Sequence, residues 1–525
     1  MEIVENKALI LRTRNPQKYE CIPNSAVLGQ TPDGVYEVAV HWELDAVRVL
    51  KNLGVKNVPS PILGRYNWPG RHKPFSHQRE TAQFLTLNPR AFVFNEPGTG
   101  KTMSAIWAAD FLMKAGKVRK VLVLCPLSIM QSAWHKDIAA STIHRTAVVC
   151  HHVDPERRVR MVEHGYDFTI VNYDGLPMII DALKKRGDID LVIVDEANAY
   201  KNPQTKRWKV LNALLKPETM LWMMTGTPAA QSPLDAFGLA KLVNPGGVPR
   251  FMTAWKDEVM TQITRFKWVP KKTSRERVYT ALQPAIRFAK KDCLDLPPVL
   301  TTARDVPLTA QQAKYYKIIK TQMLSQVAGE TISAVNAAAV VNKLLQISAG
   351  AAYTDNGEVV EFDCAPRLGA LTEVLEETER KVIVFAHYRH SIDTIALHLN
   401  SLLIPCETIH GGISPVKRSE IFHDFQTKDR LRVLVIQEQA AAHGVTLTAA
   451  DTVVFWGPVM SVEMYLQCIA RTDRIGQSSD RVTVVHIQSS EIERKMFGVL
   501  EKRVADHDMF VSLYEELRRE GVAQA

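Results

Sequence analysis

The stretch AFVFNEPGTGKT, residues 91–102, decides the fold. A short apolar run stops at a turn containing Gly98 and Gly100, and Lys101 and Thr102 follow where a helix begins. Strand, tight loop and helix start in that order make a cradle for phosphates. The turn aims backbone N–H groups inward, Lys101 adds a point charge for the outer phosphates, and the Thr102 hydroxyl suits Mg²⁺. Glu96, Pro97 and Thr99 complete the loop, and Asn95 stands where the G-x-x-x-x-G-K-[ST] pattern has its first glycine.

Outward from this loop the pattern repeats. VLVLCP, FTIVN, LVIVDE and LWMMTGT are short apolar runs separated by stretches of helical spacing. Continuous apolar strands alternating with helices predict an α/β fold with a parallel sheet covered on both faces, whose functional residues gather at the strands' carboxyl ends. LVIV delivers Asp195 and Glu196 to such an end. There Asp195 suits Mg²⁺, and Glu196 can orient or deprotonate an attacking water. Two adjacent acids also fit a solvated turn; the phosphate loop upstream decides for chemistry.

A chain of 525 residues, 46% hydrophobic and 23% charged, is long enough for two or more cores. Its net charge of +9 is compatible with a polyanionic partner. The seven cysteines include no C-x-x-C pair, which excludes a zinc knuckle or dithiol motif and fits a reducing compartment. No apolar run reaches the length of a membrane span, and MEIVENKALILRTRN lacks the order of a signal peptide, so a cytoplasmic protein is expected.

Residues 1–75 read as a small N-terminal module, with a strand in YEVAVHW and a helix in WELDAVRVLKNLG. RYNWPGRHKPF after it suits either base stacking and phosphate contact or a connector seated on the next domain. Between 256 and 291, Arg265, Lys267, Lys271, Lys272, Arg275, Arg277, Arg287, Lys290 and Lys291 mingle with Trp255, Phe266 and Trp268. That is either a track for a phosphate backbone or a solvated face. LDLPPVL marks a boundary, and Ala-rich helical stretches follow. From KVIVFA a second strand–helix alternation runs to VTVVHI without a phosphate loop. In its QCIARTDRIGQ, Arg471 and Arg474 are expected to share one face of a helix, as arginine fingers for γ-phosphate charge.

Taken in order, these motifs resemble the superfamily two helicases, and within them the Swi/Snf-like branch of DNA translocases. FSHQRE with Gln78, EPGTGKT, VLVLCPLSIMQSAWHKDI, VNYDGL, VIVDEANAYKN, MTGTPAAQSPLDAFGLAKLVNP, KVIVFAHYRHSIDTIALHL, IHGGISPVKRSEIFHDFQ, GVTLTAADTVVFWGP and YLQCIARTDRIGQ carry the likeness. Asn198 stands where the family often has histidine, and Gln439 to His443 replace the Arg-Ala-Gly-Gly-Leu it favours.

The resemblance implies two RecA-like lobes with ATP and Mg²⁺ in the cleft between them. Gln78 would read adenine, Gly444 would touch the nucleotide, and Thr225, Gly226, Thr227 and Gln467 would couple hydrolysis to movement. It implies an accessory module over 1–75, a first lobe over 76–295, a helical connector over 296–375, a second lobe over 376–490 and a C-terminal helical brace over 491–525. The expected activity is DNA-dependent ATP hydrolysis driving translocation on duplex DNA. A strand-separating helicase and an ATP-gated DNA clamp with residual hydrolysis are the alternatives. A monomer acting in a bacterial or phage-infected cell is expected, with a protein partner possible through the N-terminal module.

Overall fold

The structure is a computed structural model that describes residues 1–226, 228, 232–264, 267–293, 296–327, 334–354, 358–441, 445–474, 476–502 and 504. Thr227, Gly444, Arg265, Phe266, Ala442, His443 and residues 505–525 of the expected C-terminal brace lie outside the described residues. The chain divides into two compact units between Cys293 and Leu294.

The first unit opens with an antiparallel sheet of β1 (Glu2–Val4), β2 (Ala8–Thr13), β3 (Ala26–Gln30) and β4 (Tyr36–His41), ordered β1-β2-β4-β3. Alternation puts Val38 and Val40 of β4 on one face, where with Leu9 and Leu11 they meet Ala46, Val47 and Leu50 of α1 (Leu44–Asn52). The chain then passes through α2 (Ile62–Arg65) into the aromatic segment. Tyr66 and Trp68 are buried, edge-on to Phe111 and Trp107 respectively. The Tyr66 hydroxyl donates to Asp110 Oδ2 at 2.7 Å, and Trp107 Nε1 donates to the Pro69 carbonyl at 3.0 Å. Both rings are closed to stacking on bases and seat this part of the segment on α4 (Lys101–Lys114), which α3 (Ser76–Leu87) precedes, while Arg71, His72, Lys73 and Phe75 are exposed.

The main sheet of this unit comprises β5 (Arg90–Val93), β6 (Lys120–Cys125), β7 (Ala147–Val149), β8 (Phe168–Asn172), β9 (Ile189–Val194), β10 (Met220–Met224) and β13 (Ala285–Ile286). All pairings are parallel, in the order β13-β5-β10-β9-β6-β8-β7. β11 (Met260–Gln262) and β12 (Trp268–Pro270) form a separate hairpin. Because every strand points the same way, the loops after β5, β9 and β10 emerge at one edge, and β10 lies between the other two. The four central runs are buried on both faces, which is why they read as continuous apolar segments.

The second unit holds a six-stranded parallel sheet ordered β14-β21-β20-β17-β19-β18. Its strands are β14 (Val299–Asp305), β17 (Lys381–Ala386), β18 (Cys406–Ile409), β19 (Val433–Gln437), β20 (Ala450–Phe455) and β21 (Val482–Gln488), with a small hairpin of β15 (Ala351–Tyr353) and β16 (Val359–Glu361). The stretch expected as a helical connector thus begins with a sheet strand. β14 is an edge strand with mostly exposed side chains, so its sequence has no buried apolar signature. Helices Ala310–Val327 and Ala334–Ala349 follow it.

Candidate active site

Gly98 (φ 91°) and Gly100 (φ 81°) take the left-handed backbone that turns the loop after β5 into the N-terminus of α4. Lys101 Nζ folds back onto the carbonyls of Asn95 at 2.8 Å and Glu96 at 3.3 Å. An ammonium already facing loop oxygens, at the start of a helix, suits the phosphates of a nucleotide. Asn95 is more than a glycine substitute. Its Nδ2 donates to the Thr81 hydroxyl of α3 at 2.8 Å, pinning the loop to that helix.

Gln78 lies against the same loop. Its Nε2 donates to the Thr99 carbonyl at 3.2 Å, and its Oε1 accepts from Phe75 N at 3.1 Å. A Cβ on Gly100 would come within 2.1 Å of that Nε2. His77, not singled out in the sequence, also donates from Nε2 to the Thr99 carbonyl at 2.8 Å, which fixes its tautomer, and its ring stacks on Phe75. The Glu96 carboxylate turns toward the loop after β13, meeting Arg287 Nη2 at 3.3 Å and Lys290 N at 3.0 Å.

At the end of β9 the Asp195 carboxylate is buried and held from both oxygens. Trp134 Nε1 donates to Oδ2 at 2.9 Å and Glu196 N to Oδ1 at 3.1 Å. Burial pushes its pKa up, opposed by the Lys101 charge and these two donors. Glu196 has φ 48° and ψ 56°, left-handed backbone for a residue with a side chain, a strain that concentrates at functional sites. The Tyr173 hydroxyl donates to the Asp195 carbonyl at 2.6 Å. Burial and then the Glu196 and Asp195 charges raise its pKa well above the usual value, so it stays a donor.

Between these acids and the phosphate loop, Thr225 N donates to the Val93 carbonyl at 3.0 Å. A Cβ on Gly226 would sit 2.6 Å from Pro97 Cδ, so only glycine lets the end of β10 touch the loop. Among the described residues no three His, Cys, Asp or Glu side chains gather as a metal cage. Mg²⁺ needs none, since it is commonly held by one or two protein oxygens plus substrate phosphates, and Asp195 with the Thr102 hydroxyl fits that donor set.

In the second unit the expectation for Arg471 and Arg474 is corrected. Helix Val462–Ile469 ends before both, and the chain tightens into three-residue turns, Arg471 N to the Cys468 carbonyl and Thr472 N to the Ile469 carbonyl. Arg471 is buried, its Nε donating to the Gln467 carbonyl at 2.8 Å and its Nη1 to the Val445 carbonyl at 3.3 Å. Arg474 is half-buried and reaches the Thr446 hydroxyl at 3.2 Å. Both arginines therefore brace the loop at 445–447. The strand ends of this sheet carry side-chain bonds among themselves. His387 Nδ1 meets the buried Glu438 Oε2 at 3.1 Å, which holds the imidazole pKa up, and Arg389 Nη1 donates to His410 Nδ1 at 3.0 Å.

Part of the cationic stretch serves packing. Lys256 Nζ lies 3.8 Å over the Trp268 ring, and Arg277 pairs with Glu258 at 2.8 Å while covering Trp255. Lys267, Lys272 and Lys291 are exposed.

Comparison with known proteins bears on the same elements. The SNF2-related domain matches residues 77–350, and the helicase conserved C-terminal domain matches 366–476. The chain belongs to the SNF2-related family. As an SNF2-type protein it carries the helicase-like, DNA-dependent ATPase core of a translocase. The SWI/SNF-related matrix-associated actin-dependent regulator of chromatin subfamily A-like protein 1 homolog of Caenorhabditis elegans is 26% identical over 510 residues, 89% of this chain and 69% of that protein. The subfamily A-like protein 1 of Xenopus laevis is 25% identical over 82% of this chain, which spans only 42% of it. Putative protein p41 of Acyrthosiphon pisum secondary endosymbiont phage 1 is 24% identical over 76% of this chain and 88% of its own length. The Sulfolobus solfataricus SWI2/SNF2 ATPase core in complex with dsDNA is 22% identical, covering 86% of this chain and 97% of its own, with a TM-score of 0.41. Among the described residues no helix is long and apolar enough to cross a membrane.

Proposed function

We propose that this SNF2-type core hydrolyses Mg²⁺-ATP to move along double-stranded DNA without separating its strands. The observation that carries the reading is the strand-end cluster of the first unit. There the Pro97 loop, Gly226 and the Asp195-Glu196 pair follow β5, β10 and β9, three neighbours in one parallel sheet. A shift of the loop on phosphate release is felt at once by the end of β10, which suits Thr225, Gly226 and Thr227 to coupling.

In this reading Glu96 to Thr102 wrap the phosphates, Lys101 exchanging its loop carbonyls for phosphate oxygens, and Gln78 reads the base. Asp195 and Thr102 hold Mg²⁺, which supplies neutralising charge when bound. Glu196 orients the attacking water and accepts its proton. Arg471 and Arg474 supply cationic stabilisation for hydrolysis, with Gln467 holding Arg471 and Gly444 near the nucleotide. The domain limits proposed are 1–75, 76–295, 296–375, 376–490 and 491–525, with β14 of the 296–375 stretch joining the sheet of the second lobe. The phage relative, matched over most of its length, supports a bacterial or phage-infected cell as the setting; a cytoplasmic monomer, with a protein partner met through the 1–75 module, completes the proposal.

ATPase rates with duplex, single-stranded and forked DNA and with RNA test the reading. Duplex is expected to stimulate most strongly, and stimulation by RNA alone would sink it. Displacement of a third strand from a triplex without fork opening is the second expected result; fork opening would make the protein an unwinding helicase.

A further inference from the structure

Trp134 reaches the strand-end acid from a distant part of the chain. Its indole is fully buried, and its N–H donates to Asp195 Oδ2 at 2.9 Å. Six other indole N–H groups, those of Trp42, Trp107, Trp208, Trp222, Trp255 and Trp456, donate to backbone carbonyls. Trp134 differs in giving its proton to a carboxylate at the reaction site.

Local backbone explains how it gets there. Met130–His135 is a π-helical turn between the short turn Leu127–Ile129 and the α-helix Lys136–Ser141. A π turn holds an extra residue, which swings its side chains out of α-helical register, and such turns recur at functional sites. The Asp195 main chain is separately anchored by the Tyr173 hydroxyl on its carbonyl, and Oδ1 is met by the neighbouring Glu196 N–H. Among the described residues, the side chain from elsewhere in the fold that hydrogen-bonds the carboxylate is Trp134, and it restrains the carboxylate's rotation.

We propose that Trp134 is a positioning residue for the metal-binding carboxylate. Its N–H fixes the face that Asp195 turns to the Mg²⁺-nucleotide and so sets the metal-dependent part of nucleotide affinity. The inference rests on the reading of Asp195 as the Mg²⁺ ligand. Partners that orient a metal ligand are commonly worth ten- to a hundredfold in metal affinity.

The test is binding of a fluorescent ADP by polarisation, in Mg²⁺ and in EDTA, on the full chain. It compares wild type, Trp134→Phe, and a chain with β-(3-benzothienyl)alanine at 134, which keeps the shape of the ring and lacks the N–H. Both replacements are expected to weaken binding about tenfold in Mg²⁺ and to leave binding in EDTA unchanged. Wild-type Mg²⁺ dependence in the benzothienyl chain, or equal weakening with and without Mg²⁺, overturns the proposal. If the wild-type chain itself binds equally in Mg²⁺ and EDTA, the metal reading of Asp195 falls, and this inference with it.

Discussion

In the first unit, β5 hands over to α4 through residues 94–100, a loop long enough to wrap phosphates and bent by two left-handed glycines. In the second unit, β17 hands over to the helix Arg389–Ser401 through His387 and Tyr388 alone. Both sheets are parallel, and both gather loops at one edge. The loop of the second is too short to cradle anything, and its strand ends hydrogen-bond to one another, His387 to Glu438 and Arg389 to His410. One architecture thus gives a glycine-bent loop or a rim whose side chains bond one another according to a few residues of loop.

That contrast breaks most sharply at Arg474. Arg474→Ala is expected to lower DNA-stimulated kcat by about a thousandfold or more while nucleotide affinity holds. If kcat is unchanged, the second unit takes no part in the chemistry and the contrast is complete rather than functional. Lys101→Ala is the mirror experiment. About a hundred- to a thousandfold loss of kcat/KM is expected, now with nucleotide binding lost as well, measured by ATPase assay and polarisation.

Each unit also has a buried carboxylate hub, and these test whether the two fold as separate bodies. Asp110 accepts from Tyr66, His144 and Arg145, and Glu493 pairs with Arg367 at 2.7 Å and accepts from Ser489 and Ser490. Asp110→Asn and Glu493→Gln are each expected to cost about 3 kcal/mol in denaturant unfolding, confined to the transition of their own unit. A single transition shifted equally by both would merge the units energetically.

The Asp110 effect carries a pH signature. Burial alone would raise its pKa, but the bonds from Tyr66, Arg145 and His144 outweigh burial and hold it below the ordinary value. Its contribution is therefore complete above the unfolded-state pKa of about 4 and fades as pH falls through the folded value. The gap between wild type and Asp110→Asn should close on acidification. Gly226→Ala, forcing Cβ against Pro97, is expected to cost about a hundredfold in DNA-stimulated ATPase by displacing the loop. A wild-type rate would mean that the end of β10 yields freely and transmits nothing.

The sequence made the central strands legible because burial on both faces leaves continuous apolar runs such as LVIV and VLVL. The phosphate loop was legible because its chemistry is local. β14 was not, because an exposed edge strand has no such run, and β7 and β13 are too short to show a period. Arg471 and Arg474 were expected on a helix that ends before them, since the turn that carries them is set by bonds to the loop at 445–447. Trp134 and Tyr173 lie in quoted motifs, yet their contacts to Asp195 cross strands and left no mark on spacing.

The Gln78 amide already has a partner at each end, Thr99 below and Phe75 behind. A nucleobase that takes those two bonds performs an exchange and adds little to affinity. Selectivity is another matter. A base whose edge offers the wrong pattern of donors and acceptors draws the amide away and leaves the Phe75 N–H unanswered, while the Thr99 carbonyl keeps its bond from His77, a penalty of about 1 kcal/mol. In the proposed reading, the occupied glutamine turns base recognition into a toll levied on mismatches.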